Sequence, residues 1–583
     1  MKTLDAFDSG SNYKFGDKLQ KPMLPRSLFD LSHLNTMTID NAGELIPIAL
    51  FETVPGDSFE LSVKSLLRVL PLAVPLYSKQ RLYIHAFYSR MSDLWDNAQT
   101  FMTKGYTGNT ILEIPKLNND NLYEFTKVEP NDLLDYMGIP IGTTMSQVID
   151  AGINALPFMM YLRIWRDYYM NKNFYTNRRG WLPDDDHDFM LDNNGKLKSN
   201  IYNSGYEAIL LNYKKVRDYP QDYFLSALPF PQRGDTPTLN FGLSAETVLP
   251  VGVIQGDEFK QIKALLYSNS TNGNMSSIAT GSPASMETVT VDPPGSWRSG
   301  ALFHGQGTGL VDNINPSQNQ YELSATLDDI IAQSTITLNQ LRELSSQQAI
   351  LEKMARTDGS YAEFGLTFFN RVSKSAQDYK PLFIGGTYQS IAFTEVLQTT
   401  PTTESPLGNY AGHGLSYNDN GYIGSVDCDD YGYIMLIASI MPDVYYSQGI
   451  DRTLTKSLQS DMYLPERARL GMREILNKEL YFTGDPEVDN DLFAYQTPYD
   501  ELRYKNSVIH GKIADPSSLS FFPYTQSRKF DTLPTYSQSF ARAKNVRKDY
   551  LAAPTEVAYT AQFDIQCRAV RPIPYNPVPA QII

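Results

Sequence analysis

The sequence predicts a mainly β fold, interrupted by long loop insertions that carry a few helices, and three observations predict it. Near both ends of the 583 residues apolar side chains fall on alternate positions, the period of a strand with one buried face. The 38 Tyr and 28 Phe suit pleated sheets, while 35 Pro and 37 Gly punctuate turns and speak against a helical bundle. Hydrophobic residues at 42% with charged residues at 20% supply a packed core rather than a disordered chain.

Taken in order, residues 1–30 are polar, carry Lys14, Lys18, Lys21 and Arg26, and show no periodicity, as expected of an N-terminal arm ahead of a domain over 31–583. From Phe59 the apolar positions alternate through Leu61, Val63, Leu67 and Val69, with Glu60, Ser62, Lys64 and Arg68 on the other face. Leu82, Ile84, Ala86 and Tyr88 repeat the pattern after a loop containing Pro71 and Pro75. A helical and loop insertion is expected over about 95–235. Within it Phe158, Leu162, Trp165 and Tyr169 share one helix face behind Pro157. Residues 236–325 turn rich in Ser, Thr, Asn, Gly and Pro, the composition of a variable surface insertion. A helix follows over about 338–355, with Leu341, Leu344, Leu351 and Ala355 on its packing side. The run Tyr431 to Met441 is apolar on both faces, as in a strand covered on two sides, and stops at Pro442. Last comes the longest alternation, Val557, Tyr559, Ala561, Phe563, Ile565, Cys567 and Ala569. Pairing the first strands with the last gives the long-range antiparallel topology of a jelly roll.

The chain offers little chemistry. Its net charge of −15 is the wrong sign for wholesale binding of phosphate backbones. Cys428 and Cys567 are too few for a disulfide framework, the start of the chain has no apolar signal core, and the longest apolar run falls short of a bilayer. No membrane insertion is expected. The six His form no metal-ligand spacing, GQGTG at Gly305 to Gly309 lies in a loop-rich stretch, and no Gly-x-Ser-x-Gly elbow occurs. Neither an enzyme nor a cofactor is expected. Asp184, Asp185, Asp186 and Asp188 supply hard oxygens for a metal ion but lack the spaced order of a calcium loop, and an acidic solvated turn explains them as well. Arg233-Gly234-Asp235 is a short string that arises by chance, and the sequons at Asn269 and Asn274 need a secretory route that the start of the chain is not expected to supply.

One charge feature stands out. Arg528, Lys529, Arg542, Lys544, Arg547 and Lys548 face a single carboxylate, Asp531, over 528–548, and they interleave with Phe530, Tyr536, Phe540 and Tyr550. Cations for phosphates and rings for bases are the means by which proteins hold single strands. The bland reading is a solvated basic loop or a subunit contact. A β-rich carbohydrate-binding protein or glycosidase is the competing class, since aromatics and acids also serve sugars. A glycosidase needs two placed carboxylates, and no spacing nominates them.

Several blocks resemble the major capsid proteins of Microviridae, nearer the gokushovirus branch. They are RSLFDLSHLNTMTIDNAGELIPIALFETVPGDSFEL (Arg26 to Leu61), LPFMMYLRIWRDYY (Leu156 to Tyr169), DYFLSALPFPQRGD (Asp222 to Asp235), QLRELSSQQAILEKMARTDGSYAE, SPLGNYAGHG, YYSQGIDR, ILNKELYFTG and the ending CRAVRPIPYNP. They occur in the family's order over nearly the whole chain. Phe230, where the family often has Trp, and the Asp-rich segment after Trp181 depart from it. The resemblance implies a single eight-stranded antiparallel jelly roll of the viral capsid type. It further implies sixty copies, arranged as pentamers in a T=1 icosahedral shell, around the single-stranded DNA genome of a bacteriophage. The variable insertion would form protrusions at threefold axes that meet a host surface receptor. A small basic DNA-packaging protein and a scaffolding protein are the implied partners, with assembly in the host bacterial cytoplasm and residence in the virion.

Overall fold

The computed structural model describes residues 26–95, 97–105, 108–119, 122, 125–174, 212–237, 251–255, 258–262, 274–279, 286–290, 322–325, 338–357, 361–371, 380–394, 412–418, 421–469, 471–544 and 546–575. Two compact units emerge, one formed by residues 1–233 with 352–583 and the other by 234–351.

The first unit is built on the strands β1 (Ser27–Asp30), β2 (His33–Ile39), β3 (Ile46–Thr53), β4 (Ser58–Val69) and β5 (Gln80–Arg90). In the second unit, β6 (Val251–Gln255), β7 (Glu258–Ile262) and β10 (Glu322–Ala325) make a three-stranded sheet, and β8 (Asn274–Ala279) pairs with β9 (Met286–Thr290) as a hairpin. The first unit resumes with β11 (Leu382–Thr394), β12 (His413–Asn418), β13 (Tyr422–Asp427) and β14 (Gly432–Pro442). Four short strands follow, β15 (Tyr445–Tyr446), β16 (Arg473–Leu476), β17 (Leu492–Gln496) and β18 (Ser507–Val508), before β19 (Tyr559–Arg571) closes the fold.

Ten of these strands form one curled antiparallel sheet whose order runs β1, β19, β4, β12, β11, β5, β14, β3, with β2 also on β19 and β13 also on β4. β1 and β2 pair with successive stretches of β19, on either side of Leu31 and Ser32. β12 and β13 likewise share β4. The ten strands therefore occupy eight lanes, the antiparallel jelly roll expected from the sequence. The C-terminal end of β11 pairs with β12 and the rest of it with β5, so β11 is where the sheet turns from one layer into the other.

Pattern explains the layers. On β4 the inward residues Phe59, Leu61, Val63, Leu67 and Val69 are buried, and on β19 so are Tyr559, Ala561, Phe563, Ile565, Cys567 and Ala569. Together with Leu82, Ile84, Ile434 and Leu436 they fill the space between the layers. Burial of the Cys567 thiol pushes its pKa up to about 12, which keeps it protonated. The outer face of β5 and β14 holds Phe87, Met435 and Ile437, and these pack into a second cluster with the helix Leu156–Ile164. The both-faced apolar run at 431–441 is thus a strand covered on two sides, as its composition predicts.

Three details differ from the expectations. Residues Ser27–Asp30, inside the expected N-terminal arm, are strand β1, because β19 is long enough at 13 residues to take a second partner beyond β2. The helix behind Pro157 is buried on every side rather than amphipathic, and its last turn widens into a π-helix at Trp165–Tyr169. The helix Leu338–Ala355 has the expected bounds, but Leu341 on its packing side is exposed and Ala355 is its only buried residue. Leu344 and Leu351 between them are half-buried.

Candidate nucleic-acid interface

The basic segment 528–550 lies in the long connection from β14 to β19, and the structure brings most of its cations inward. Arg528 lies over the Phe540 ring at 4.0 Å and donates to the Phe540 carbonyl at 2.6 Å, with Tyr219 and Phe530 also within cation-π range. Phe540 is itself 4% exposed and packs on Phe493 and Phe530. Arg547 lies 3.7 Å over the Phe522 ring and pairs with Asp549, a carboxylate one residue beyond the stretch counted in the sequence. Arg542 stands 5.5 Å over the Trp165 ring, and Lys548 donates to the carbonyls of Asp40 and Glu556.

Tyr550 is fully buried. Its hydroxyl accepts from Gln80 Nε2 at 3.2 Å and lies 3.2 Å from the Tyr559 hydroxyl, which donates to Gln80 Oε1 at 3.0 Å. Burial raises the pKa of both tyrosines, so this closed network stays protonated. Phe540 and Tyr550 are thus core residues in this chain, and the cations that face solvent are Lys529, paired at 3.0 Å with the exposed Asp531, and Lys544. The segment is fixed by backbone as well: Asp218 and Arg542 form an isolated bridge, the Arg528 amide donates to Tyr445, and Ala543 packs under the turn at Gly43.

A polar concavity between the same connection and the segment 212–237 is lined by Tyr223, Tyr446, Arg452, Glu479, Glu501 and Lys505 among others. Glu479 accepts from the Tyr223 hydroxyl at 2.8 Å and from Arg452 at 2.9 Å, and burial raises its pKa. The floor is therefore a set of internally paired charges. The four candidate metal-ligating residues Asp184, Asp185, Asp186 and Asp188 lie outside the described residues. Among the described residues no group of three or more His, Cys, Asp or Glu is arranged to hold a metal ion, and no described helix is long and apolar enough to cross a membrane.

Sequence reasoning missed a second candidate surface. Where the sheet curls, the outer faces of β11, β12 and β13 present Tyr388, Tyr417 and Tyr422, exposed by 66%, 65% and 56%. Glycines and polar residues on these strands blur the period-two signal that marks the others, and only the fold shows that the three rings share a face.

The geometry agrees with what this chain is similar to. A family model described as "Capsid protein (F protein)" matches residues 18–581. The "Capsid protein VP1" of Chlamydia phage 1 is 27% identical over 594 residues, covering 95% of each chain. That of Bdellovibrio phage phiMH2K is 26% identical over 509 residues, covering 85% of this chain and 84% of the relative. For Spiroplasma virus 4 the figures are 24% over 540 residues, 90% and 89%.

Proposed function

This chain belongs to the capsid protein (F protein) family, a structural major capsid protein of Microviridae type, and from that premise we propose that sixty copies close as pentamers into a T=1 icosahedral shell around a single-stranded DNA phage genome. The observation that carries the reading is the family match across 18–581, laid over an eight-lane jelly roll whose first and last strands pair. Residues 31–583 act as one capsid domain, with 95–235 and 236–325 inserted into it. A closed shell needs heterologous contacts that return on themselves, and a rigid sandwich with long connections supplies distinct faces for them. The insertion at 236–325 projects as protrusions at threefold axes and meets a host surface receptor. Assembly proceeds in the host bacterial cytoplasm with a scaffolding protein. A small basic packaging protein balances the phosphates, because a subunit of net charge −15 offers cations only in patches.

In this reading the basic segment contacts the genome through its exposed cations, Lys529 and Lys544, while Arg528, Arg542, Arg547 and Lys548 hold the segment in shape and Phe540 and Tyr550 anchor it in the core. The test is expression of the full chain with its assembly partners, followed by sedimentation, negative-stain microscopy and assay of nuclease-protected DNA. Icosahedral particles containing DNA are expected; subunits that never enter particles with all partners present would overturn the reading. Lys529→Gln with Lys544→Gln should lower packaged DNA more than shell yield, whereas Arg528→Ala should lower the melting temperature of the free subunit. Unchanged DNA content in the lysine variant removes the segment from the genome contact.

A further inference from the structure

We propose that the outer face of the sheet where it curls, carrying Tyr388, Tyr417 and Tyr422, is a stacking platform for single-stranded DNA, an inference that rests on the reading of this chain as the shell of a single-stranded genome. The three tyrosines lie on one continuous surface. Tyr417 stands opposite Leu66 and Tyr422 opposite Ser62, both on the solvent side of β4, since the alternate residues Leu61, Val63 and Leu67 point into the core. Tyr388 reaches the same surface through Ala392, four residues along β11 and paired with Leu415, two residues before Tyr417.

Strand geometry sets the spacing. Four residues of β4 separate Leu66 from Ser62, the partners of Tyr417 and Tyr422, which is about 13 Å. That is roughly four stacked bases at ~3.4 Å each, so one strand running along β4 meets the Tyr417 and Tyr422 rings a few nucleotides apart. The rings are open to it: Tyr417 and Tyr422 pack against no other ring among the described residues, and Tyr388 has the Tyr83 ring beside it at 6.0 Å.

Cations stand beside the Tyr417 ring. Lys64 and Arg68 project from β4 on the same side as Tyr417, one on either side of Leu66. Against them stands Asp564, opposite Lys64 on β19. Further acids, Glu60 and Asp427, lie at the other end of this surface, where Asp427 accepts a bond from Ser58. Small residues, Ser390 and Ala392, leave room for bases between Tyr388 and the β12 ring. Aromatic rings on an open sheet with cations beside them bind single strands whatever their sequence, because every base has a π face. The segment 528–550 has the same ingredients in its sequence, but its Phe540 and Tyr550 rings are already buried; here the rings stand in solvent.

The test uses the full-length chain and a labelled twenty-nucleotide oligothymidylate. Tyr417→Ala with Tyr422→Ala should weaken binding at least tenfold by fluorescence anisotropy, while Tyr417→Phe with Tyr422→Phe stays within threefold of the parent, because stacking needs the ring and not the hydroxyl. Melting temperatures confirm that both variants are folded. An oligonucleotide carrying 5-iodouracil should photocrosslink to peptides containing Tyr388, Tyr417 or Tyr422. Parent-like affinity in the alanine variant overturns the proposal, as do crosslinks confined to 528–550. Reduced shell yield at unchanged oligonucleotide affinity also overturns it and makes the face a contact between copies. These outcomes are separate from the fate of the parent reading, which fails only if the unmutated chain forms no DNA-containing particle.

Discussion

Individual residues show how tightly the long connections are tied to the sandwich. Gly43 has φ +91°, and a Cβ there would lie 2.5 Å from the Ala543 carbonyl oxygen. Its amide donates to Ile440 on β14 and its carbonyl accepts from Arg217, whose own carbonyl accepts from Ala543. One turn thus holds the basic segment against β14. Gly43→Ala combines left-handed strain with a backbone clash and should cost about 1–3 kcal/mol or more, read as a lower urea midpoint of the free subunit. Two buried titratable groups make opposite demands on pH. Burial, with Arg217 nearby, depresses His85 to about 4. The unfolded chain therefore binds more protons as pH falls from about 6.5, and stability contributed by neutral His85 is present above that pH and lost on the way down to 4. Burial raises Asp218 to about 6 against the hydrogen bonds from Asn171 and Gln538. There the folded chain keeps a proton that the unfolded one releases, so stability falls as pH rises from about 4 to 6. His85→Gln should close its stability gap to the parent at low pH, and Asp218→Asn should close its gap at high pH. Urea titrations at pH 4, 5, 6 and 7 read both, and parallel profiles for parent and variants would refute the assignment.

At the scale of elements, legibility followed the regularity of burial. β4, β5, β14 and β19 were readable because each buries one face or both without interruption, so period and hydrophobicity coincide. β11 to β13 were not, because close approach of neighbouring backbones there demands glycine where the pattern demands an apolar side chain. A Cβ on Gly421 would lie 1.8 Å from the Val63 carbonyl oxygen, and one on Gly385 2.1 Å from that of Ile423. The candidate interface was half legible for a related reason: interleaved Arg and aromatic residues look the same in sequence whether the guanidinium stacks on its own ring, as Arg528 does on Phe540, or leaves the ring free for a base. β19 is the element on which most depends, since it pairs with β1, β2 and β4 at once. Phe563 at its centre is fully buried, and Phe563→Ala should cost about 3–5 kcal/mol through the cavity it leaves. Denaturant unfolding measures this, and a loss under 1 kcal/mol would mean that the sandwich repacks freely. The other border of the sandwich is guarded by side chains: Asn35 donates to the Ile48 carbonyl at 2.7 Å and Arg571 to that of Glu52 at 2.9 Å, which occupies acceptors on the edge strand β3 and blunts unplanned strand pairing.

The whole molecule carries an excess of negative charge and must still associate with copies of itself. Subunits at −15 repel, and that repulsion is long-ranged at low salt and screened within about 8 Å at physiological ionic strength. Something short-ranged has to overcome it. The connection between β14 and β19 exposes Leu454, Leu458, Met462, Leu502 and Leu519, two of them by 80% or more, side chains that contact with a second copy would cover. Covering such side chains is worth about 25 cal/mol per Å² and is indifferent to salt, so apolar contact and charge repulsion pull assembly in separable directions. Raising sodium chloride from 20 to 150 mM should therefore increase the particle fraction of purified subunits with their assembly partners, as seen by light scattering. Leu454→Lys with Leu519→Lys should abolish that gain while leaving the subunit's melting temperature within a few degrees, since neither side chain belongs to a core cluster. A particle fraction that falls with salt in the parent chain would instead place complementary ion pairs, and not these leucines, at the contacts that close the shell.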